Sequence, residues 1–452
     1  MSDPFALADT LQAHGQEHLL VGIDDLAGDQ REAYLANLAA VDWAELAHPA
    51  EPVPVAAVGP SRVIDLDERL ERASELYQAG ETAYQAGLVA VLMVAGGQGT
   101  RLGFDGPKGC YEVGAHSGKS IYQIQAEKVL AVSRRSGQRV PFLIMTSPAT
   151  DAETRTYFAV NEYFGLEEEQ VRFFSQGMVP SIDGDGRALL AGPGTLLQNP
   201  DGHGGCFQAL VVSGELQLLR DAGISHIVYI QVDNILVPVD DPELVGAALL
   251  EEAEVVTKVL EKAHPDEKVG HLVRVGERDR IIEYTELSPD ETRIRAPDGQ
   301  YLYRWGSPAM HCWSVAFFGR LADAGFRLPL HRSTKPLKAW RDGQMVEVPG
   351  FKNERFIFDL VPEATVSIGL AIDRDQEFAP VKNATGTDSA DSARTLASAC
   401  FADWLCEAGV VVDLADDQLI EISPLYAATR QQLLCRWDER LESVSGDYYL
   451  ED

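Results

Sequence analysis

The sequence has few cysteines, and they form no motif. Its six cysteines lie at positions 110, 206, 312, 400, 406 and 435, without a Cys-x-x-Cys pair. This scatter argues against a disulfide framework or a zinc site and is typical of a reducing compartment. The sequence also lacks a run of about eighteen apolar residues and a basic, apolar leader after Met1. We therefore expect a cytoplasmic protein without a signal peptide or a membrane span.

Positive charge is also scarce. The 452 residues include 38 Lys and Arg against 70 Asp and Glu, for a formal net charge of −32. So acidic a surface repels nucleic acid and anionic membranes, and we expect neither as a partner. Hydrophobic residues are 45% of the chain, as in ordinary globular proteins. The length predicts two or three domains.

Two cations stand out in a glycine-rich segment, Val94–Lys108. The segment follows the apolar stretch Leu88–Met93, which predicts a buried strand, and it has three glycines in four positions. Such glycines let the backbone turn tightly and present its N–H groups. Arg101 and Lys108 add positive charge, so the segment suits a polyphosphate. It is not a Walker A loop, and Leu102 stands where a dinucleotide fingerprint needs its third glycine.

Strands and helices alternate after this segment. A helix is predicted after Ser120, where Ser-x-x-Gln has the form of a capping box. Further strands and helices are predicted in the order 142–145, 151–163, 171–174, 215–222 and 226–232. The alternation favours an α/β, Rossmann-like domain with a mixed, mostly parallel sheet and ligands at the carboxyl ends of its strands. The glycine turn and Asp233 both lie at such ends.

The remaining regions suggest three domains. Residues 1–60 predict a mostly helical N-terminal domain, 61–385 a central domain and 386–452 a C-terminal α+β domain. Within the central domain, residues 254–318 are rich in predicted strands, the last of them at Val315–Phe318. We interpret this stretch as a secondary sheet that faces the substrate.

The glycine-rich segment resembles that of a known family. Gly-Gly-x-Gly-Thr-Arg-Leu-Gly followed by Pro-Lys-Gly is the signature of UTP-dependent sugar-1-phosphate uridylyltransferases, and the chain is similar to the eukaryotic-type UDP-N-acetylglucosamine pyrophosphorylases among them. Ordered matches follow at Gly15–Leu20, Tyr122–Glu127, Gln176–Met178, Asn199–Gly202, Val232–Leu236, Glu283–Tyr284, Phe356–Asp359, Pro380–Ala384 and Ile422–Leu425. The resemblance implies a GT-A-like nucleotidyltransferase that converts UTP and a sugar-1-phosphate to a UDP-sugar and pyrophosphate. We expect a monomer or a weak homo-oligomer.

The resemblance also implies roles for residues that bind UTP. Arg101, Lys108 and Lys382 correspond to catalytic cations. Arg101 and Lys108 would hold the triphosphate and stabilise the leaving group, and Lys382 would lie beside the sugar-phosphate. Asp233 corresponds to an aspartate that contacts the nucleotide and a Mg²⁺ ion. The other implied nucleotide-binding residues are Ala95, Gly96, Gly97, Gln176, Gly202 and Lys352.

Identification of the sugar is less direct. The implied sugar-binding residues are His203, Glu283, Tyr284, Ser307, Phe356 and Phe358. N-acetylglucosamine-1-phosphate is the expected substrate, yet the acetylglucosamine enzymes have asparagine at the positions of His203, Ser307 and Met310. Histidine in Gly-His-Gly is common in UDP-glucose and broad UDP-sugar pyrophosphorylases. Glucose-1-phosphate and galactose-1-phosphate therefore stay open as alternatives.

The sequence argues against three other functions. A catalytically inactive nucleotide-sugar-binding protein would have no need for the leaving-group cations that this chain keeps. The missing third glycine and the Pro107–Lys108 extension argue against an NAD-dependent dehydrogenase. His14-x-x-Glu17-His18 has the spacing of a zinc protease, but Gly15 disfavours the required helix, and no third cluster of ligands is apparent.

Overall fold

The computed structural model describes residues 4–47, 49–50, 58–437 and 441–451. The chain forms two compact units, each assembled from three stretches of sequence. The sheet unit comprises Pro54–Ser175, Leu210–Gly325 and Leu360–Asp452, and the hairpin unit comprises Met1–Val53, Gln176–Ala209 and Phe326–Asp359. The predicted division into 1–60, 61–385 and 386–452 uses contiguous segments and stays a prediction.

A sheet of twelve strands forms the centre of the sheet unit in the described part of the chain. Nine strands follow one another in the hydrogen-bonded order Val58–Gly59, Gly270–Val275, Trp305–Ser307, Val255–Glu261, His311–Ser314, His226–Gln231, Val89–Val94, Phe142–Thr146 and Val171–Ser175. The other three are Arg278–Ile282, Val63–Ile64 and Ser367–Ala371. Two short two-stranded sheets, Val411–Val412 with Ser443–Val444 and Ile420–Ile422 with Tyr448–Leu450, lie near the C-terminus.

The prediction of a mixed α/β sheet is confirmed, but the sheet is not mostly parallel. Of the strand pairs between described residues, five are parallel and six antiparallel. The antiparallel pairs arise because the strands of 254–318 extend the main sheet, so the predicted secondary sheet is wrong. Val315–Phe318 is also not a strand: Ser314 Oγ accepts a hydrogen bond from Phe317 N–H and caps the helix Val315–Asp323.

The sheet unit also contains helices. In the sheet unit they are Leu66–Gln85, Ile121–Ser136, Asp151–Val160, Glu215–Asp221, Pro242–Leu250, Val315–Asp323, Arg374–Glu377, Ala390–Glu407 and Arg430–Arg436, and Gly205–Ser213 contains a boundary between the units. Ser120 caps its helix as predicted by accepting from Gln123 N–H. The amide of Gln123 donates to Glu127 at 2.9 Å instead of completing the capping box. None of the helices in the described ranges has the length and apolar composition needed to cross a bilayer.

The hairpin unit has its own core. Its long strands His331–Arg341 and Gln344–Glu354 form an antiparallel hairpin, and Ile182–Asp183, Leu190–Gly192 and Thr195–Leu196 complete a five-stranded sheet. Met178–Pro180 and Gln198–Pro200 form a separate pair. The helices Pro4–Ala13 and Gly28–Ala40 contribute Leu11 and Leu38, both fully buried, to an apolar cluster that also contains Val179 and Leu196.

Candidate active site

The predicted phosphate-binding turn directly follows the central strand Val89–Val94. Gly99 N–H donates to Gly106 O at 2.9 Å, and Lys108 N–H donates to Gly97 O at 3.0 Å, so the segment closes into a compact loop. A Cβ on Gly99 would lie 2.7 Å from the ring of Phe104, which explains the requirement for glycine there. Gly97 is exposed, with open space where a Cβ would be. The loop therefore has room for a ligand beside its backbone.

The two cations of this loop have different environments. Arg101 lies on the short 3₁₀ turn Thr100–Leu102, is exposed, and has no hydrogen bond or ion pair of its side chain among the described residues. Lys108 is mostly buried, and its Nζ lies 3.2 Å from Asp233 Oδ2. The sequence placed these two residues beside one ligand without showing that Lys108 would be paired. Arg101 is thus available to bind an anion, whereas Lys108 is ion-paired at the carboxyl end of the neighbouring strand His226–Gln231.

Asp233 follows the strand His226–Gln231, which pairs in parallel with Val89–Val94. Burial disfavours the charged form of the Asp233 carboxyl, but Lys108 and Lys382 outweigh it and hold its pKa below the ordinary value. Asp233 is therefore ionised at neutral pH. Because two lysines from distant parts of the sequence act on it, this carboxylate is the electrostatic centre of the sheet unit's candidate site.

The backbone that precedes Lys382 is hydrogen-bonded to Asp233. Val381 N–H donates to Asp233 O at 2.8 Å, which places the following residue beside the strand end. The Lys382 side chain is 43% exposed, and its Nζ lies 4.0 Å from Asp388 Oδ2. Arg101, Lys108, Asp233 and Lys382 thus belong to one unit, and the last three also lie close enough to interact electrostatically.

The predicted sugar contacts of the sheet unit lie at a different part of the same sheet. Ser307 pairs with Gly270, and a Cβ on Gly270 would lie 3.3 Å from Glu283 Oε1. Tyr284 is 38% exposed. Ser307 Oγ accepts a hydrogen bond from Ala309 N–H at 3.3 Å. Glu283 and Ser307 are therefore brought together around Gly270, while their contact with a sugar stays a prediction.

In the hairpin unit, the predicted Gly202 lies in a loop pressed against another backbone segment. Gly202 has φ of +86°, and a Cβ there would lie 2.6 Å from Arg355 O. Gly204 N–H donates to the same oxygen at 2.9 Å. Gln176 is buried next to this loop, because Asp201 N–H donates to Gly177 O at 3.0 Å. Gln176 and Gly202 are thus neighbours, as a shared ligand requires.

Asp201 is a buried carboxyl that the sequence analysis assigned no role. Its Oδ2 lies 3.5 Å from Arg355 Nη1, and its Oδ1 has no hydrogen-bond partner in the described part of the chain. Burial raises its pKa to about 7 despite Arg355, which is shared with Glu45. A Cβ on Gly205 would lie 1.9 Å from Asp201 Oδ1, so the carboxyl fills the space under the glycine loop. The only sequence signal was its place in Asn-Pro-Asp-Gly.

The predicted His203, Phe356 and Phe358 form one aromatic cluster. The His203 and Phe356 rings are stacked at 5.4 Å, and those of Phe356 and Phe358 lie 5.0 Å apart. Nδ1 of His203 accepts from Ile357 N–H at 3.3 Å, which leaves the proton on Nε2. Burial, and then His331, lowers its pKa to about 4, so the ring is neutral at physiological pH.

The backbone around this cluster differs from the sequence-based interpretation. The alternate spacing of Phe356 and Phe358 in the sequence is typical of a strand, but the strand ends at Glu354 and Ile357–Glu363 is a 3₁₀ helix. Phe358 is buried and Phe356 is half-buried. His331, which the sequence analysis did not single out, packs against Phe356 with the ring centres 4.4 Å apart, and its Nε2 lies 2.8 Å from Asp359 Oδ2. The predicted Lys352 lies on the preceding strand opposite Ser333.

The fold and the sheet unit's site together define a class of protein. A glycine turn after a central parallel strand, with cations and one carboxylate at the neighbouring strand end, is typical of α/β proteins that bind nucleotide phosphates. The chain belongs to the UTP–glucose-1-phosphate uridylyltransferase family, whose model matches residues 49–300. The predicted resemblance is confirmed.

Individual relatives agree with this assignment. The chain is 34% identical to UDP-N-acetylglucosamine diphosphorylase 2 of Arabidopsis thaliana, with 95% of this chain and 91% of that protein covered. It is 35% identical to human UDP-N-acetylhexosamine pyrophosphorylase-like protein 1, covering 88% and 85%. Its fold is similar to the crystal structure of the Trypanosoma brucei UDP-N-acetylglucosamine pyrophosphorylase in complex with an inhibitor, with a TM-score of 0.83 and 29% identity over 100% and 99% of the two chains.

Proposed function

We propose that the chain transfers a uridylyl group from UTP to N-acetylglucosamine-1-phosphate, giving UDP-N-acetylglucosamine and pyrophosphate. The observation that carries this proposal is the ionised Asp233 with Lys108 and Lys382 acting on it at the strand end. The names of the Arabidopsis and trypanosomal relatives support the reaction and the sugar.

The chemistry is a single displacement at phosphorus. A phosphate oxygen of the sugar-1-phosphate bonds to the α-phosphorus of UTP, while the bond from that phosphorus to the oxygen bridging to the β-phosphate breaks and pyrophosphate leaves. The attacking oxygen is already deprotonated at neutral pH, so no general base is needed. The protein's task is to position the phosphates and to neutralise the charge that develops on the leaving group. Arg101, exposed and unpaired within the described residues, and Lys108 suit that task.

The candidate site also fits a Mg²⁺ ion. Mg²⁺ is commonly held by one or two carboxylates together with substrate phosphates and water. Asp233 supplies one ionised carboxylate, and the described residues contain no group of three or more metal-ligating side chains that would form a complete cage. When bound, the ion would neutralise phosphate charge. Lys108 and Lys382 keep Asp233 deprotonated and therefore available as its ligand.

The second candidate substrate is glucose-1-phosphate or galactose-1-phosphate. The specific observation in its favour is His203, a neutral ring whose Nε2–H is a donor where the acetylglucosamine enzymes have an amide. An amide can offer a ligand both a donor and an acceptor, whereas the tautomer inferred from the Ile357 contact has its acceptor Nδ1 occupied and retains Nε2–H as its donor. Such a replacement alters discrimination between sugars that differ at one substituent.

Pyrophosphate release tests both candidates. Purified protein is incubated with UTP, Mg²⁺ and a panel of sugar-1-phosphates that includes N-acetylglucosamine, glucose and galactose forms. We expect more pyrophosphate release with N-acetylglucosamine-1-phosphate than with the other sugar-1-phosphates. The variant Lys108→Ala, which lacks a proposed catalytic cation, is the negative control and should release none. Release only with glucose-1-phosphate would favour the second candidate. No release with any sugar would contradict the enzymatic proposal.

Several wider features belong to the same proposal. We place the chain among GT-A-like nucleotidyltransferases with small N- and C-terminal domains, a cytoplasmic location and a monomeric or weakly homo-oligomeric state. The contacts of Gln176, Gly202 and Lys352 with the nucleotide, and of His203, Glu283, Tyr284, Ser307, Phe356 and Phe358 with the sugar, stay predictions. The net charge of −32 supports the absence of nucleic acid and membrane partners.

A further inference from the structure

Asn234 directly follows the proposed metal ligand and is almost completely buried, at 4% exposure. Its Nδ2 donates to Glu377 O at 2.7 Å, and its Oδ1 accepts from Ala379 N–H at 2.8 Å. One side chain therefore satisfies two backbone groups of the segment that leads to Lys382. A buried amide with both ends occupied by the same segment holds that segment in one position.

Backbone contacts extend this attachment towards Lys382. Ile235 N–H donates to Ala379 O at 3.2 Å, and Val381 N–H donates to Asp233 O at 2.8 Å. The two segments thus run side by side from Glu377 to Val381. Lys382 is the next residue, and its distance from Asp233 is set by this alignment.

Further contacts anchor both ends of the attachment. Helix Ile121–Ser136 holds the strand-end segment, because Gln125 Nε2 donates to Asn234 O at 2.9 Å and Lys128 Nζ donates to Ile235 O at 2.7 Å. The Glu377 carboxylate is buried and pairs with Lys258 and with Arg69, the latter at 3.1 Å. Asn234 joins these two fixed elements.

The Lys382 side chain has weak anchoring of its own. It is 43% exposed, and the 4.0 Å contact with Asp388 is at the limit of an ion pair. Its effect on Asp233 therefore depends on where its backbone lies. Loss of the Asn234 amide would leave Glu377 O and Ala379 N–H without partners and allow this backbone to shift.

We propose that Asn234 is a positioning residue for the reaction: it fixes Lys382 beside Asp233 by holding the Glu377–Val381 segment. This inference rests on the proposed function. It predicts that Asn234 acts through Lys382, so that removing Asn234 costs nothing further once Lys382 has been removed.

A double-mutant cycle with Asn234→Ala, Lys382→Ala and the double variant tests this coupling. The readouts are kcat and KM for pyrophosphate release from UTP and N-acetylglucosamine-1-phosphate. We expect kcat to fall about tenfold in Asn234→Ala and about a hundredfold in Lys382→Ala, and the double variant to have the same kcat as Lys382→Ala. The KM for UTP should stay within about threefold in all three variants. If Asn234→Ala does not fold, Asn234→Ser takes its place in the cycle.

Gln170→Ala is the matched control, because Gln170 is also a buried amide with two hydrogen bonds, to Ser133 Oγ at 2.9 Å and Val140 O at 2.7 Å. We expect it to lower the melting temperature as Asn234→Ala does, with kcat unchanged. Losses that multiply in the double variant, or an Asn234→Ala loss no larger than that of Gln170→Ala, would overturn the positioning role. An unsubstituted protein that releases no pyrophosphate would instead contradict the proposed function and remove the basis of this inference.

Discussion

Two buried carboxyls, one in each unit, face a cation yet differ in charge. Asp233 lies 3.2 Å from Lys108 and has a lowered pKa, whereas Asp201 lies 3.5 Å from Arg355 and has a pKa raised to about 7. Burial opposes ionisation of both. Asp233 overcomes it with two lysines, while Arg355 is shared with Glu45, whose negative charge further disfavours ionisation of Asp201. Proximity of one cation therefore does not decide the state of a buried carboxyl.

The difference in charge suggests a chemical role for Asp233 and a structural role for Asp201. An ionised carboxylate at a strand end suits a metal ion or a phosphate environment. A carboxyl that is partly protonated near neutral pH, and packed under Gly205, suits the shape of the loop that contains Gly202 and His203. Asparagine has nearly the same size as either carboxyl but carries no charge, so it distinguishes the two roles.

The largest expected effect comes from removing the charge at each position. Asp233→Asn should lower kcat about a thousandfold or more, because the ionised carboxylate proposed as the metal ligand is lost. Asp201→Asn should change kcat by no more than about threefold, because the shape under the glycine loop is kept. Steady-state pyrophosphate release measures both. Circular dichroism controls for folding, and a folded but inactive Asp201→Asn variant would break the comparison.

A smaller effect is expected at Arg101. Because Arg101 has no partner within the described residues, Arg101→Ala removes a charge without disturbing a contact. We expect kcat to fall about a hundredfold, while the Kd for UTP changes by no more than about threefold, since the charge acts mainly on the leaving group. Calorimetric titration of UTP gives the Kd. Equal losses in kcat and in UTP affinity would assign Arg101 to ground-state binding instead.

Substitution of His203 in the aromatic cluster should have a smaller effect, on the preference between sugar-1-phosphates. His203→Asn introduces the amide found in the acetylglucosamine enzymes and removes a ring stacked on Phe356. We expect the ratio of kcat/KM for N-acetylglucosamine-1-phosphate to that for glucose-1-phosphate to rise about fivefold. His331→Asn serves as the control, because it alters the same stack from the Asp359 side. An unchanged ratio in His203→Asn would remove His203 from sugar discrimination.

The sheet unit was more predictable from sequence than the hairpin unit, for a physical reason. The turn at Gly96–Lys108 and the strand end at Asp233 are local patterns, and the carboxyl ends of parallel strands meet at one edge. Phe356 and Phe358 depend on a 3₁₀ turn that an apolar alternation cannot distinguish from a strand. The ion-pair partner of Asp201 is Arg355, in a distant segment of the chain. The raised pKa of Asp201 depends on its burial and also on Glu45, which lies in a third segment. The role of Asn234 could not be predicted from sequence, because its hydrogen bonds reach the backbone of Glu377 and Ala379, far along the chain.

The smallest expected effect is on the pH dependence of stability. Since the pKa of Asp201 rises from 3.8 to about 7 on folding, its protonated form stabilises the native state fully below pH 4. That contribution is lost as the pH rises to 7, and the interval between the two pKa values corresponds to about 4 kcal/mol at most. The melting temperature of Asp201→Asn, relative to that of the unsubstituted protein, should therefore increase as the pH rises from 4 to 7.

Asp233→Asn is the control for that measurement. Because the pKa of Asp233 is lowered on folding, its ionised form stabilises the native state above the ordinary carboxyl pKa, and this contribution is lost only at more acid pH. Its difference in melting temperature from the unsubstituted protein should stay constant between pH 4 and 7. Scanning calorimetry at several pH values in this range compares the two variants. Parallel curves for Asp201→Asn and Asp233→Asn would mean that the two carboxyls share one protonation state.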